Sequence, residues 1–155
     1  MTTNIPAANF GEIGALMEAF AEAKKIRRAR CPAHVLVVED DPLTCRLVAG
    51  ALASTHAVIT EENAKNAVGS YLLHAPDIVF LDIGLPDMDG FMVLDQIITI
   101  DPDAFVVMFS SHDNWENVTR ALAAGAKGFL SKPFKKEALK NYIQNSATHH
   151  HKSCE

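Results

Sequence analysis

The chain has 155 residues, 48% of them hydrophobic and 21% charged, with a net charge of -5; it is long enough for one well-buried domain, too short for two ordinary ones and too apolar to be largely disordered. The charge is uneven, since residues 1–30 carry five Lys/Arg against three Glu, leaving -7 on the rest, a balance that suits cation binding; nucleic-acid contact is not expected. Apolar runs such as HVLVV and AFVVMF fall far short of the roughly 20 residues of a membrane span, and the N-terminus lacks the basic-then-apolar order of a secretory signal, so a cytoplasmic protein without membrane contact is expected.

In chain order, residues 9–30 come first. Ile13, Leu16, Met17 and Phe20 at i, i+3, i+4 and i+7 predict an amphipathic helix ending in the basic run KKIRRAR. Its apolar stripe needs a surface, whether its own domain, a second copy in a homodimer, or another partner; the basic run is expected to be a solvated helix end favoured by the helix dipole. From residue 34 short apolar runs alternate with helical patterns: strands HVLVV, HAVIT, DIVFLD, FVVMFS and GFLS, and helices LTCRLVAGALAS, NAKNAVGSYLLHA, FMVLDQIITI, WENVTRALAAGA and KKEALKNYIQNSA. This predicts an α/β fold, (βα)5, with a doubly wound parallel five-stranded sheet in the flavodoxin-like order 2-1-3-4-5 and an extra N-terminal helix. The expected division is a helical extension over residues 1–32, one domain over 33–147 and a disordered tail over 148–155. Cys31, Cys45 and Cys154 are odd in number and form no CxxC pair, so free thiols are expected.

The polar residues gather where the strands end. The first strand runs into Glu39, Asp40 and Asp41, the third into Asp82, the fourth into Ser110 and Ser111, the fifth into Lys132 and Pro133. In a doubly wound sheet these ends share the rim at which ligands bind. The run DMDG invites a calcium loop, but aligning Gly90 with the loop glycine puts Leu85 at position one and Gln96 at position twelve, where acids are required. Asp41 before Pro42 suits a helix N-cap, and Asp87 and Asp89 suit loop and cap roles. Three carboxylates converging on one rim repel unless a cation sits among them, and magnesium takes one or two carboxylates together with waters and a phosphoryl oxygen. A carboxylate becomes a competent nucleophile toward phosphorus once metal and lysine neutralise the charge, and Asp82, ending the central strand, is best placed for that.

The pieces VLVVEDDP, IVFLDIGLPDMDG, VVMFSS and AAGAKGFLSKPF, in this order over residues 33–147, resemble the receiver domain of two-component response regulators, the CheY-like superfamily. The resemblance implies that Asp82 accepts a phosphoryl group from a sensor histidine kinase or a histidine phosphotransfer protein, and that a downstream effector, not identified by the sequence, reads the result. It implies that Asp40 holds Mg2+ directly and Glu39 mainly through water, with the Gly84 carbonyl as a further ligand. Ser110 would hydrogen-bond the phosphoryl group, Lys132 would pair with it, Pro133 would follow a cis bond, and Phe129 would be the aromatic switch. Phe129 lacks the hydroxyl of the commoner tyrosine, so its inward state would rest on packing. His112 is expected to screen the attacking water in part, with Gly84 leaving the other side open. The protein would catalyse only its own phosphorylation and dephosphorylation. The rival readings are a phosphatase-type aspartyl hydrolase, which would want a second aspartate where Gly84 stands, a flavin carrier, and a binding module that works without phosphate.

Overall fold

The computed structural model describes residues 10–111 and 114–150. Its elements are α1 (Phe10–Ala29), β1 (His34–Val38), α2 (Pro42–Leu52), β2 (Ala57–Glu61), α3 (Ala64–His74), β3 (Ile78–Asp82), α4 (Gly90–Ile100), β4 (Val106–Ser110), α5 (Trp115–Ala123), β5 (Gly128–Ser131) and α6 (Lys136–His149). The strands form one parallel sheet in the order β2-β1-β3-β4-β5, as the alternation of strand and helix patterns predicts. β1, β3 and β4 are apolar almost throughout because both of their faces are covered. Val35, Val37, Ile78, Phe80, Val107 and Phe109 face α2 and α6, while Leu36, Val38, Val79, Leu81, Val106 and Met108 face the α3, α4 and α5 side. β2 is half exposed, as an edge strand should be.

The amphipathic stripe of α1 finds its own domain. Phe20 is 1% exposed and packs against the Tyr71 ring of α3 in a tilted arrangement, centroids 5.9 Å apart, with Leu16 and Ala23 on the same core; burying a side chain the size of Phe20 contributes about 1.5–3 kcal/mol. Met17, expected in the stripe, is instead exposed, and the side chain of Ile13 lies outside the described residues. The buried face continues past Phe20 to Arg27, because two carboxylates wait there. Arg27 Nη1 donates to Asp101 Oδ2 at 3.1 Å and to the Tyr71 hydroxyl at 3.1 Å, and that hydroxyl donates to Asp101 at 2.7 Å. Arg30 Nη2 donates to Asp77 Oδ2 at 3.0 Å. The expectation of a solvated basic end is therefore corrected for these two arginines.

Two further expectations change. Thr148 and His149 complete α6, and His150, 5% exposed, places Nε2 at 2.9 Å from the Asp77 carbonyl oxygen, so residues 148–150 belong to the fold rather than to the expected tail, and residues 151–155, with Cys154, lie outside the described residues. Cys31 is disulfide-bonded, whereas Cys45 is free and donates from Sγ to the Glu39 carbonyl at 3.3 Å. Among the described residues no helix is long and apolar enough to cross a membrane.

Candidate phosphoacceptor site

At the opposite rim, the carboxyl ends of the strands place the predicted acids together. β1 delivers Glu39 and Asp40, and its neighbour β3 delivers Asp82; one carboxylate oxygen from each lies within 4.8 Å of the others. Glu39 is 1% and Asp82 6% exposed, whereas Asp40 faces solvent. Lys132, just past β5, reaches across with Nζ 2.6 Å from Glu39 Oε2 and 3.5 Å from Asp82 Oδ2, its ammonium 4.8 Å from the Phe109 ring centroid. Burial pushes the Glu39 carboxyl above its ordinary range and the Asp82 charge adds to this, while the Lys132 bond pulls the other way. Glu39 Oε1 also accepts the Asp41 N–H at 3.1 Å.

The local chemistry that shapes this rim is visible residue by residue. Asp41 caps α2, accepting from the N–H groups of Leu43 and Thr44 and from the Thr44 hydroxyl, and these bonds hold its carboxyl below the usual range. Asp89 caps α4 by accepting from the Phe91 N–H at 2.9 Å. Gly90 opens α4 so close to the end of β3 that an added Cβ would overlap the Asp82 carbonyl oxygen, so no other residue fits there without a backbone shift. The Gly84 N–H donates to Asp82 Oδ1 at 3.2 Å, which leaves Oδ2 turned toward Lys132.

Strand alternation sorts the remaining predicted residues. Glu39, Asp82 and Lys132 continue the α2/α6 face, whereas Ser110 and Phe129 continue the face of α3, α4 and α5. Ser110 is buried at the end of β4, and Phe129, paired in register with Met108, is half-buried against the core of that second face. The Lys132–Pro133 peptide is cis. His112 lies outside the described residues. Sequence reasoning missed an open groove of about 510 Å3 beside Lys132, lined by Thr44, Leu47 and Ala51 of α2 and by Pro133, Phe134 and Leu139 toward α6. Its signal was the apolar width of α2, where Leu43 and Leu47 remain 62% and 59% exposed although Val48 and Leu52 already supply a core face.

Three carboxylates that could hold a hard cation, with a lysine beside two of them, stand at the switch point of a doubly wound sheet, where such folds bind ligands. The sequence model of the response regulator receiver domain matches residues 35–144, and the chain belongs to that family of two-component signalling proteins. The chemotaxis protein CheY of Bacillus subtilis (strain 168) is 34% identical over 117 residues, covering 74% of this chain and 98% of that protein. CheY of Listeria monocytogenes is 36% identical over 115 residues, covering 72% and 97%. Among solved structures, NtrX from Brucella abortus superposes with a TM-score of 0.71 at 36% identity, over 77% of this chain but only 28% of that longer one. A CheY-like receiver domain from Methanospirillum hungatei JF-1 shares the fold, with a TM-score of 0.72 at 22% identity over 77% of this chain and 96% of that one.

Proposed function

We propose that the chain is a phosphoacceptor module in which Asp82 takes a phosphoryl group from a phosphohistidine on a sensor kinase or phosphotransfer protein. The observation that carries this reading is the meeting of Glu39, Asp40 and Asp82 within 4.8 Å, with the Lys132 ammonium at 2.6 and 3.5 Å from two of them. An Asp82 oxygen bonds to phosphorus as the P–N bond of the phosphohistidine breaks, and the imidazole leaves with the bonding pair. The all-oxygen donor set fits a hard divalent cation, and Asp40, Asp82 and Glu39, with the Gly84 carbonyl, would hold Mg2+. Mg2+ bound there supplies positive charge against the anionic group being transferred. Lys132 supplies a second positive charge from the chain itself, and the Ser110 hydroxyl offers a hydrogen bond to the phosphoryl oxygen.

The reading extends to partners. The groove between α2 and α6, with Leu43 and Leu47 exposed beside it, offers the phosphodonor an apolar foothold next to Lys132. Phosphorylation adds roughly -1.5 to -2 charge, which draws Ser110 inward and lets Phe129 follow, re-forming the surface of α5, β5 and α6 for a downstream effector. The protein acts in the cytoplasm and catalyses only its own phosphorylation and dephosphorylation. Incubation with acetyl phosphate and Mg2+ tests this. A phosphate-sized mass gain that is lost in Asp82→Asn is expected, and no gain under conditions that label a control receiver would sink the proposal. An aspartyl phosphatase reading gains nothing from the site, because Gly84 stands where that mechanism needs a second carboxylate.

A further inference from the structure

Asp87 makes an unusual connection. α3 begins after Asn63, a residue type that caps helices well, yet the Asn63 side chain makes no capping bond. Asp87 does so from 23 residues away: Oδ1 accepts the Ala64 N–H and Oδ2 the Lys65 N–H, both at 3.1 Å. These bonds satisfy two of the donors that the first turn of a helix leaves without an intrahelical partner, and the carboxylate charge faces the positive end of the helix dipole. They also hold the Asp87 carboxyl below its ordinary range.

The other end of the clamp matters more. Asp87 sits at the tip of the loop from Ile83 to Asp89, which follows the acceptor directly. That loop is fixed at its base, where the Gly90 N–H donates to the Ile83 carbonyl at 3.1 Å, and at its inner edge, where the Gly84 N–H donates to Asp82 Oδ1 at 3.2 Å. Among the described residues, without the clamp to α3 the outer half, Leu85 to Met88, would be tied through the packing of Leu85 and Met88 on the core. If a helix cap alone were needed, Asn63 could supply it locally. We propose that Asp87 is a positioning residue for the acceptor site: by clamping the loop tip to α3 it keeps Gly84 where its amide orients Asp82 and its carbonyl serves the cation.

This inference rests on the acceptor reading of Asp82, and the experiment separates the two. Mg2+ is titrated by calorimetry into the wild type, Asp87→Ala, Asp87→Asn and Val68→Ala, the last a control buried in α3 and 2% exposed. Acetyl phosphate labelling is then followed against Mg2+ concentration, with thermal unfolding recorded for each variant. Asp87→Ala should weaken Mg2+ binding on the order of tenfold, the scale at which groups supporting metal ligands act. Its labelling rate should return to that of the wild type at saturating Mg2+. Asp87→Asn, which keeps one of the two acceptors and turns an amide NH2 toward the other N–H, should lose Mg2+ affinity but less than Asp87→Ala, and Val68→Ala should lose thermal stability without losing Mg2+ affinity. Unchanged affinity in Asp87→Ala, or equal loss in Val68→Ala, would each overturn the positioning role. A wild type that neither binds Mg2+ nor labels would overturn the acceptor reading and this inference with it.

Discussion

Acidic side chains stand at both ends of the same parallel strands, and the two ends treat them differently. At the amino-terminal pole Asp77 and Asp101 are almost wholly buried, and each meets an arginine contributed by the N-terminal extension, at 3.0 and 3.1 Å. At the carboxyl-terminal pole, among the described residues, three carboxylates gather and one lysine lies against two of them. The first arrangement neutralises charge within the fold; the second leaves negative charge in excess at a rim where ligands reach it. A buried acid whose partner is supplied by the chain is structural, whereas the acidic excess at the other pole, held by backbone hydrogen bonds, is the arrangement on which the proposed phosphoacceptor reading rests.

The sharpest test of this contrast exchanges one acid at the rim. Asp82→Asn should reduce phosphate incorporation below detection while leaving the melting temperature equal or higher, because it removes one of three mutually repelling charges. A substantial loss of stability in that variant would mean that Asp82 is a structural acid like Asp101. At the other pole the signs reverse. Arg27→Ala leaves Asp101 buried without its guanidinium and should cost about 3–5 kcal/mol, with the labelling rate per folded molecule unchanged. The double variant Arg27→Met/Asp101→Asn, which buries no charge, should recover part of that loss in chemical denaturation.

His150 gives the amino-terminal pole its own pH dependence. Burial is the main cause that pushes its imidazole down from the ordinary 6.5 to about 4, and the nearby Arg27 charge works in the same direction. The folded state thus holds His150 neutral where the unfolded chain protonates it. Its contribution is complete above pH 6.5 and is lost as pH falls toward 4, amounting to about 2–3 kcal/mol across that window. His150→Gln should flatten that limb of the stability profile, and a profile that keeps its slope would assign the acid lability elsewhere.

The two poles also differed in how well the sequence disclosed them. Glu39, Asp82 and Lys132 were legible because each ends a recognisable apolar strand, and parallel strand order alone brings those ends together. The sheet order was legible for the same reason, since central strands buried on both faces read as near-continuous apolar runs. Arg27 was not, because its partner Asp101 lies 74 residues away and nothing periodic links a basic run to an acid closing a distant helix. His150 hid inside a histidine triplet that resembles a tail, and its role depends on where α6 ends relative to the start of β3. Asp87 was placed in a loop and cap context, but the helix it caps is the preceding one, which only the folded register of α3 against the acceptor loop decides.

The smallest expected effect compares one acid from each pole in the same titration. Glu39 has its folded-state pKa raised, by burial first and by the Asp82 charge, so its contribution is complete below the unfolded value and is lost as pH rises through the folded one. Burial pushes Asp101 up as well, but hydrogen bonds from Tyr71 and Arg27 outweigh it and hold the carboxyl low, so its contribution is present above the unfolded value and is lost on acidification. In buffer free of divalent ions, Glu39→Gln should therefore gain stability relative to the wild type as pH rises from the carboxylate range to neutrality, whereas Asp101→Asn should lose. Adding Mg2+ should narrow the gain of Glu39→Gln, because a cation that binds only the folded, ionised acids stabilises the wild type by mass action. Were Glu39→Gln less stable than the wild type at neutral pH without Mg2+, the 2.6 Å bond to Lys132 would outweigh the burial of Glu39, and the rim would resemble the arginine-paired pole more closely than its acidic excess implies.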